Sequence, residues 1–226
     1  SGSHYHTAGL ENVQVIYRSE DQGHTWSEAI PVVGDRHFIS AEGDLVEMRG
    51  GELVMYIRSD DNPAGTGMKA ISIDDGKSWK GPYAAGYWPI IGRVNAGVLS
   101  NGDVLVVHRV GGFNPQKWFG FFIERSDTAL ARTPNQPGAR MDPPADSWGM
   151  IDNDTSTYAD HGYGDWVELP GGDVYVVNYI VDTAPVDRPQ IRGYRLRSEE
   201  LFSPQRTQTI NFAPPTYRRG KLAGQC

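Results

Sequence analysis

Three stretches of the chain carry one pattern of apolar and polar positions. Glu42 to Tyr56 is an apolar strand broken by Gly50-Gly51 and followed by Leu53-Val54-Met55-Tyr56. Arg93 to His108 repeats it around Asn101-Gly102, ending in Val104-Leu105-Val106-Val107. Tyr163 to Asn178 repeats it again around Gly171-Gly172, ending in Val174-Tyr175-Val176-Val177. Gly-Gly and Asn-Gly turns tolerate positive φ and join antiparallel strands, so each stretch predicts a β-hairpin. The turn glycines Gly51 and Gly102 are 51 residues apart, and Gly102 and Gly172 are 70 apart. The longer interval holds a polar, Pro-rich stretch, about 133–157, which reads as an insertion loop. A period near ~50 residues with about four strands per unit predicts propeller blades at Ile39 to Trp79, Ile90 to Arg125 and Tyr158 to Arg197. An irregular β-sandwich with similar hairpins is the competing all-β reading.

Two further segments fall in phase with these hairpins. Ser19-Glu20-Asp21-Gln22-Gly23-His24-Thr25-Trp26 and Ser72-Ile73-Asp74-Asp75-Gly76-Lys77-Ser78-Trp79 both fit S-x-D-x-G-x-[ST]-W and lie 53 residues apart. The Asp carboxylate can accept turn N–H groups, the Gly supplies a left-handed position, and the Trp is expected to be buried under the blade. On these residues, from about Val13 to Arg197, the chain resembles the sialidase (neuraminidase) superfamily of Asp-box, or BNR-repeat, β-propellers. The resemblance implies an all-β propeller, here three to four blades of what is a six-bladed ring in the family. Such rings need ~300 residues or more. The chain thus looks like the C-terminal portion of a ring, completed by further blades, by self-association, or by a closing segment near Thr207 to Phe212. Residues 1–12 read as a cloning remnant and N-terminal extension, 13–200 as blades, and 201–226 as a closing segment or tail.

Composition narrows the function classes. The 27 glycines, 15 prolines and 24 aromatic residues describe a chain that turns often. A net charge of −7 argues against a nucleic-acid partner, since counterion release needs clustered Lys and Arg. No apolar run approaches the ~20 residues of a spanning helix, so no membrane partner is expected. Cys226 is the single cysteine, which leaves the redox compartment unreadable; a secreted or periplasmic location is the favoured expectation. No G-x-S-x-G, H-E-x-x-H, Walker or Rossmann fingerprint is present, and no cofactor or metal is expected. Asp152-Asn153-Asp154 reads as a loop whose oxygen ligands leave a structural Ca²⁺ open.

The resemblance also implies a site. Glu42, followed one strand later by Arg58, matches the blade that carries a glutamate and an arginine of the family's carboxylate-binding set. Tyr163, in Gly162-Tyr163-Gly164-Asp165-Trp166, matches the blade of the nucleophilic tyrosine. Arg93 and Arg109 are candidates to complete the arginine set, and Trp88, beside Tyr87, is a candidate sugar-stacking residue. The chemistry fits an acidic sugar. A carboxylate on the anomeric carbon repels an Asp or Glu nucleophile, and sialidases use Tyr. A phenol wants an adjacent base, here Glu42, and the Arg58 fork pairs bidentately with a carboxylate.

Plainer roles compete at each position. Tyr163 beside Trp166 reads also as a core aromatic, Glu42 as part of an acidic solvated strand, and Arg58 as a partner of Asp60 or Asp61. Asp160 and His161 read as solvated loop residues. The family's opening Arg-Ile-Pro segment and its general-acid aspartate have no match in this sequence. Glu124-Arg125-Ser126-Asp127-Thr128-Ala129 is a degenerate box without its Gly or Trp. The sequence therefore carries two readings: a sialidase-like glycoside hydrolase acting on terminal acidic sugars, and a non-catalytic Asp-box propeller that binds glycan or protein. They separate on whether Glu42, Arg58 and Tyr163 converge.

Overall fold

The computed structural model describes residues 2–5, 13–33, 40–59, 67–85, 91–110, 117–135, 147–154, 162–182 and 188–202. These residues form four antiparallel sheets in chain order. The first contains β1 (Gly2–Tyr5), β2 (Val13–Ile16) and β3 (Ile30–Val33). The second contains β4 (Ser40–Glu47), β5 (Leu53–Ser59), β6 (Gly67–Ser72) and β7 (Lys80–Ala85). The third contains β8 (Ile91–Val98), β9 (Val104–Val110), β10 (Lys117–Glu124) and β11 (Ser147–Asp154). The fourth contains β12 (Asp165–Glu168), β13 (Val174–Asp182) and β14 (Arg188–Leu196). The only helices among the described residues are single turns, α1 (Ser126–Ala129) and α2 (Ser198–Leu201).

The sheets stack face to face, and the pattern along each second strand records it. In β5, Met55 and Ile57 pack with Ile16, Val32 and Val33 of the first sheet, while Val54 and Tyr56 pack with Val104, Val106 and Phe122 of the third. In β9, Leu105 and Val107 turn the other way, onto Val174, Val176 and Tyr194 of the fourth sheet. A sheet covered on both faces needs an unbroken apolar run, and both strands have one. In β13 Val174, Val176, Asn178 and Ile180 are buried; Tyr175 and Val177 are exposed, as are Val167 (55%) and Ile191 (81%) on the same sheet. Polar ties join neighbouring sheets near the hairpin turns. Asp44 accepts from the Ala96 N–H at 2.7 Å, and Glu168 accepts from the Ser100 N–H and hydroxyl at 2.7 and 2.6 Å.

Several expectations need correction. The stretch read as an insertion loop contains β11, the outer strand of the third sheet, so that blade extends well past Arg125. Gly2–Tyr5 pairs with Val13–Ile16 and belongs to the first sheet, not to an extension outside it. The fourth sheet has three described strands, not four. The degenerate box is the helical turn α1: it offers no Gly at the left-handed position and closes i→i+4 bonds instead. Residues 207–212 lie outside the described residues.

Both S-x-D-x-G-x-[ST]-W segments are turns between adjacent strands, as expected. Asp21 accepts from the Thr25 N–H and hydroxyl at 2.8 and 2.7 Å, and Asp74 from the Ser78 N–H and hydroxyl at 2.9 and 2.6 Å. Gly23 and Gly76 take φ of +90° and +77°. The tryptophans differ. Trp79 is half-buried on the core between the first and second sheets, whereas Trp26 is 56% exposed, contrary to expectation. Residues of both sheets form the core on which Trp79 packs; among the described residues no core cluster includes Trp26.

Candidate functional site

Glu42, Arg93 and Tyr163 stand at one structural position in three successive sheets. Each is the fifth residue before the last paired residue of its inner strand, which is Glu47, Val98 or Glu168. Arg58, Arg109 and Tyr179 are the matching set on the second strands, each fifth after the first paired residue, Leu53, Val104 or Val174. The ladder is irregular there. In the second sheet Ser40 pairs with Ser59 and Gly43 with Ile57, so Ala41 and Glu42 together oppose Arg58. In the third, Ile91 pairs with Val110 and Val94 with His108, so Gly92 and Arg93 oppose Arg109. A bulge of this kind re-aims a side chain at a strand end.

The side chains converge. Arg58 Nη1 lies 2.9 Å from Glu42 Oε2 and 3.3 Å from Oε1. The Tyr163 hydroxyl lies 3.5 Å from Glu42 Oε1, although 121 residues separate them. The Arg93 guanidinium lies 5.5 Å from the centre of the Tyr163 ring, within cation–π range. Tyr179 flanks the other residue of its own blade, with its ring 5.8 Å from that of Tyr163. Arg58 and Glu42 are largely shielded from solvent, and Tyr163 is 49% exposed. Partial burial pushes the Glu42 carboxyl up, but its own backbone N–H, then Arg58, then Arg93 outweigh that and hold it below the usual carboxylate range. It is therefore ionised at neutral pH, an acceptor facing a hydroxyl.

Of the residues expected from sequence, Glu42, Arg58, Arg93 and Tyr163 are brought together. Arg109 is placed differently: its stem packs against the backbone of Gly92 and Gly162, where an added Cβ would come within 2.7 and 2.6 Å of Arg109 Cβ. It stands between the residues that precede Arg93 and Tyr163. Trp88, Tyr87, Asp160 and His161, and the alternative Arg58 partners Asp60 and Asp61, lie outside the described residues. Asp152, the candidate calcium ligand, stands on strand β11 and not in a loop, and it is bonded to Arg192 Nη1 at 3.0 Å and to the Tyr194 hydroxyl, tying the third sheet to the fourth. Tyr179, Asn178 and Gly162 were missed by sequence reasoning. The offset from the turn glycine, which aligns Tyr179 with Arg58, is the signal that finds it.

No sequence-family model and no curated protein matches the chain. Solved structures do. A protein of unknown function from Dyadobacter fermentans is 21% identical with a TM-score of 0.64, over 83% of this chain and 46% of its own. The intramolecular trans-sialidase from Ruminococcus gnavus, in complex with oseltamivir carboxylate, is 16% identical with a TM-score of 0.59, over 88% of this chain and 40% of its own. An ulvan lyase, a polysaccharide lyase, is 13% identical with a TM-score of 0.53, over 86% of this chain and 48% of its own. The chain thus spans less than half the length of each. At such identities the likeness concerns fold alone: this chain is a set of sialidase-like β-propeller blades.

Proposed function

We propose that the chain forms part of a sialidase-like glycoside hydrolase acting on terminal acidic sugars of glycans. The observation that carries the reading is the approach of the Tyr163 hydroxyl to Glu42 Oε1 at 3.5 Å, with Arg58 on the same carboxylate. Glycan-active neighbours on the same fold, a trans-sialidase and an ulvan lyase, are consistent with it. Arg58 and Arg93 supply the positive field that an anomeric carboxylate needs, and Arg58 offers the planar fork. The Tyr163 oxygen attacks the anomeric carbon while its proton passes to Glu42. The bond to the leaving oxygen breaks, and that oxygen takes a proton from an acid outside the described residues. Water then cleaves the glycosyl–tyrosine bond, with retention.

Arg58 serves two partners in this scheme. While it pairs with Glu42 it keeps that carboxylate a weak base; turning toward the substrate carboxylate, it leaves Glu42 more able to accept the proton. Substrate binding and activation of the nucleophile are then one event.

An activated leaving group tests the reading without the general acid, because fluoride or a nitrophenolate departs unprotonated. An acidic glycosyl fluoride with a second fluorine beside the anomeric carbon should leave a covalent adduct on Tyr163, seen as a mass increase of its peptide. Tyr163→Phe should leave none. Arg58→Lys should weaken acidic-sugar binding by calorimetry about 10-fold, since a point charge replaces a bidentate fork. Sugar binding with no adduct on wild type would leave the non-catalytic, glycan-binding propeller in its place.

A further inference from the structure

We infer that Asn178 is a positioning residue for the Tyr163–Glu42 pair, acting through the backbone of Gly162. The inference rests on the reading of Tyr163 as the reacting group, though its physical content is where Tyr163 is held.

In the second sheet, pairing resumes beyond the site residue: Ser40 pairs with Ser59 on the far side of Glu42. In the third, Ile91 pairs with Val110 on the far side of Arg93. The backbones carrying Glu42 and Arg93 are thus gripped by the ladder on both sides. In the fourth sheet the first described pair is Asp165 with Val177, and Tyr163 precedes it. A side-chain contact is made next to it. Gly162 donates its N–H to Asn178 Oδ1 at 3.0 Å. Asn178 is 1% exposed and sits within the ladder of β13, opposite Arg192, so the acceptor is fixed.

The rest of the Gly162 environment agrees. Its φ is +96°, and an added Cβ would come within 2.6 Å of Arg109 Cβ. Only glycine brings its N–H to Asn178 with the Arg109 stem so close. The residues standing where Asn178 stands, one before Arg58 and one before Arg109, are Ile57 and His108. Ile57 has no acceptor, and His108 Nδ1 lies 3.1 Å from the Arg109 carbonyl of its own strand. Among the described residues the side-chain clasp is made at this position in the fourth sheet, next to Tyr163. Its consequence is large because a misplacement of about 1 Å at a reacting atom can cost on the order of 100-fold in rate.

The test uses the full chain with 13C-labelled tyrosine, read by NMR. Tyr163→Phe identifies the Tyr163 resonance, and Glu42→Gln sets the shift caused by losing the carboxylate. Asn178→Leu, which fills the space without an acceptor, should move the Tyr163 resonance toward its Glu42→Gln position and leave buried Tyr56 unmoved. Asn178→Asp, which keeps an acceptor oxygen, should restore the wild-type position. Gly162→Ala acts on the same link from the other side and should match Asn178→Leu. With an activated glycoside, Asn178→Leu should lower kcat at least 10-fold with KM within 2-fold. A Tyr163 resonance unmoved in both Asn178→Leu and Gly162→Ala overturns the inference, as does an equal shift in the Leu and Asp variants. The NMR arm needs no turnover, so an inactive wild type with a shifted Asn178→Leu resonance would discard the hydrolase reading and keep the positioning role.

Discussion

The first two sheets and the last two close the same corner in different ways. After β2 and β6 the chain makes an S-x-D-x-G-x-[ST]-W turn; after β10 and β14 it makes the single helical turns α1 and α2. The bonds from Thr25 to Asp21 and from Ser78 to Asp74 are local and exposed, whereas the helical turns plug into the preceding sheet. Lys69 of β6, fully buried, bonds to Glu124 Oε2 at 2.8 Å and to the Thr128 carbonyl of α1 at 2.7 Å, and Tyr56 bonds to the same Glu124 oxygen at 2.8 Å. Ser147 of β11 bonds to the Leu201 carbonyl of α2. Trp79 packs on the core that its own sheet shares with the preceding one. The comparison teaches that the corner has two tasks: the Asp closes the turn, and a Trp or a helical turn fills the gap to the sheet before.

The sharpest way to break this is at the buried network. Glu124→Ala leaves the buried Lys69 ammonium without its counter-charge and the Tyr56 hydroxyl without its acceptor, and should cost about 3–5 kcal/mol in urea unfolding. Lys69→Met with Glu124→Leu and Tyr56→Phe should recover most of that, because paired buried charges contribute little beyond a well-packed apolar cluster. A loss below about 1 kcal/mol for Glu124→Ala would show that the Lys69–Glu124–Tyr56 network does not bind the two sheets.

Next in size is the contrast between the tryptophans. A fully buried Trp→Ala costs ~3–5 kcal/mol, and Trp79, half-buried, should lose about 2 kcal/mol; exposed Trp26→Ala should stay within about 0.5 kcal/mol. Equal losses on this chain would mean that the preceding sheet is not what gives the Trp its value.

The smallest effect concerns the carboxylates. Hydrogen bonds from the Thr25 and Ser78 side chains, then from their N–H groups, lower Asp21 and Asp74 from 3.8 to about 2. A folded value below the unfolded one means a contribution that is present above pH ~4 and lost as pH falls through ~2. Thermal midpoints measured from pH 5 to 2 should therefore fall less steeply in Asp21→Asn and Asp74→Asn than in wild type. The two variants should match, since each turn is self-contained; a mismatch would tie turn closure to the neighbouring sheet.

Much of this was legible along the chain because its cause is local. The hairpins at Gly51, Gly102 and Gly171-Gly172 follow from turn residues that accept positive φ, and those glycines have it. The Asp clasps follow from a carboxylate four residues before the N–H it accepts. Glu42, Arg58 and Tyr163 were found by motif resemblance, and blade periodicity places them at equivalent strand positions. β11 was missed because its pairing partner, β10, lies across a polar Pro-rich stretch that carries no periodic signal of its own. Val174-Tyr175-Val176-Val177 is as apolar as Val104-Leu105-Val106-Val107, yet only one face of it is buried. Which face is covered depends on the next sheet, not on the strand.

What the sequence determined alone is therefore everything settled within a hairpin: strands, turns, carboxylate clasps and the repeat that makes blades. Tertiary structure decided which tryptophan is covered, that Lys69 and Glu124 meet, and that Asn178 holds Gly162. It also decided that Tyr163 reaches Glu42 across 121 residues of chain. Each of these depends on the angle and register between sheets, which arise from packing summed over whole faces and so leave no mark at any single position.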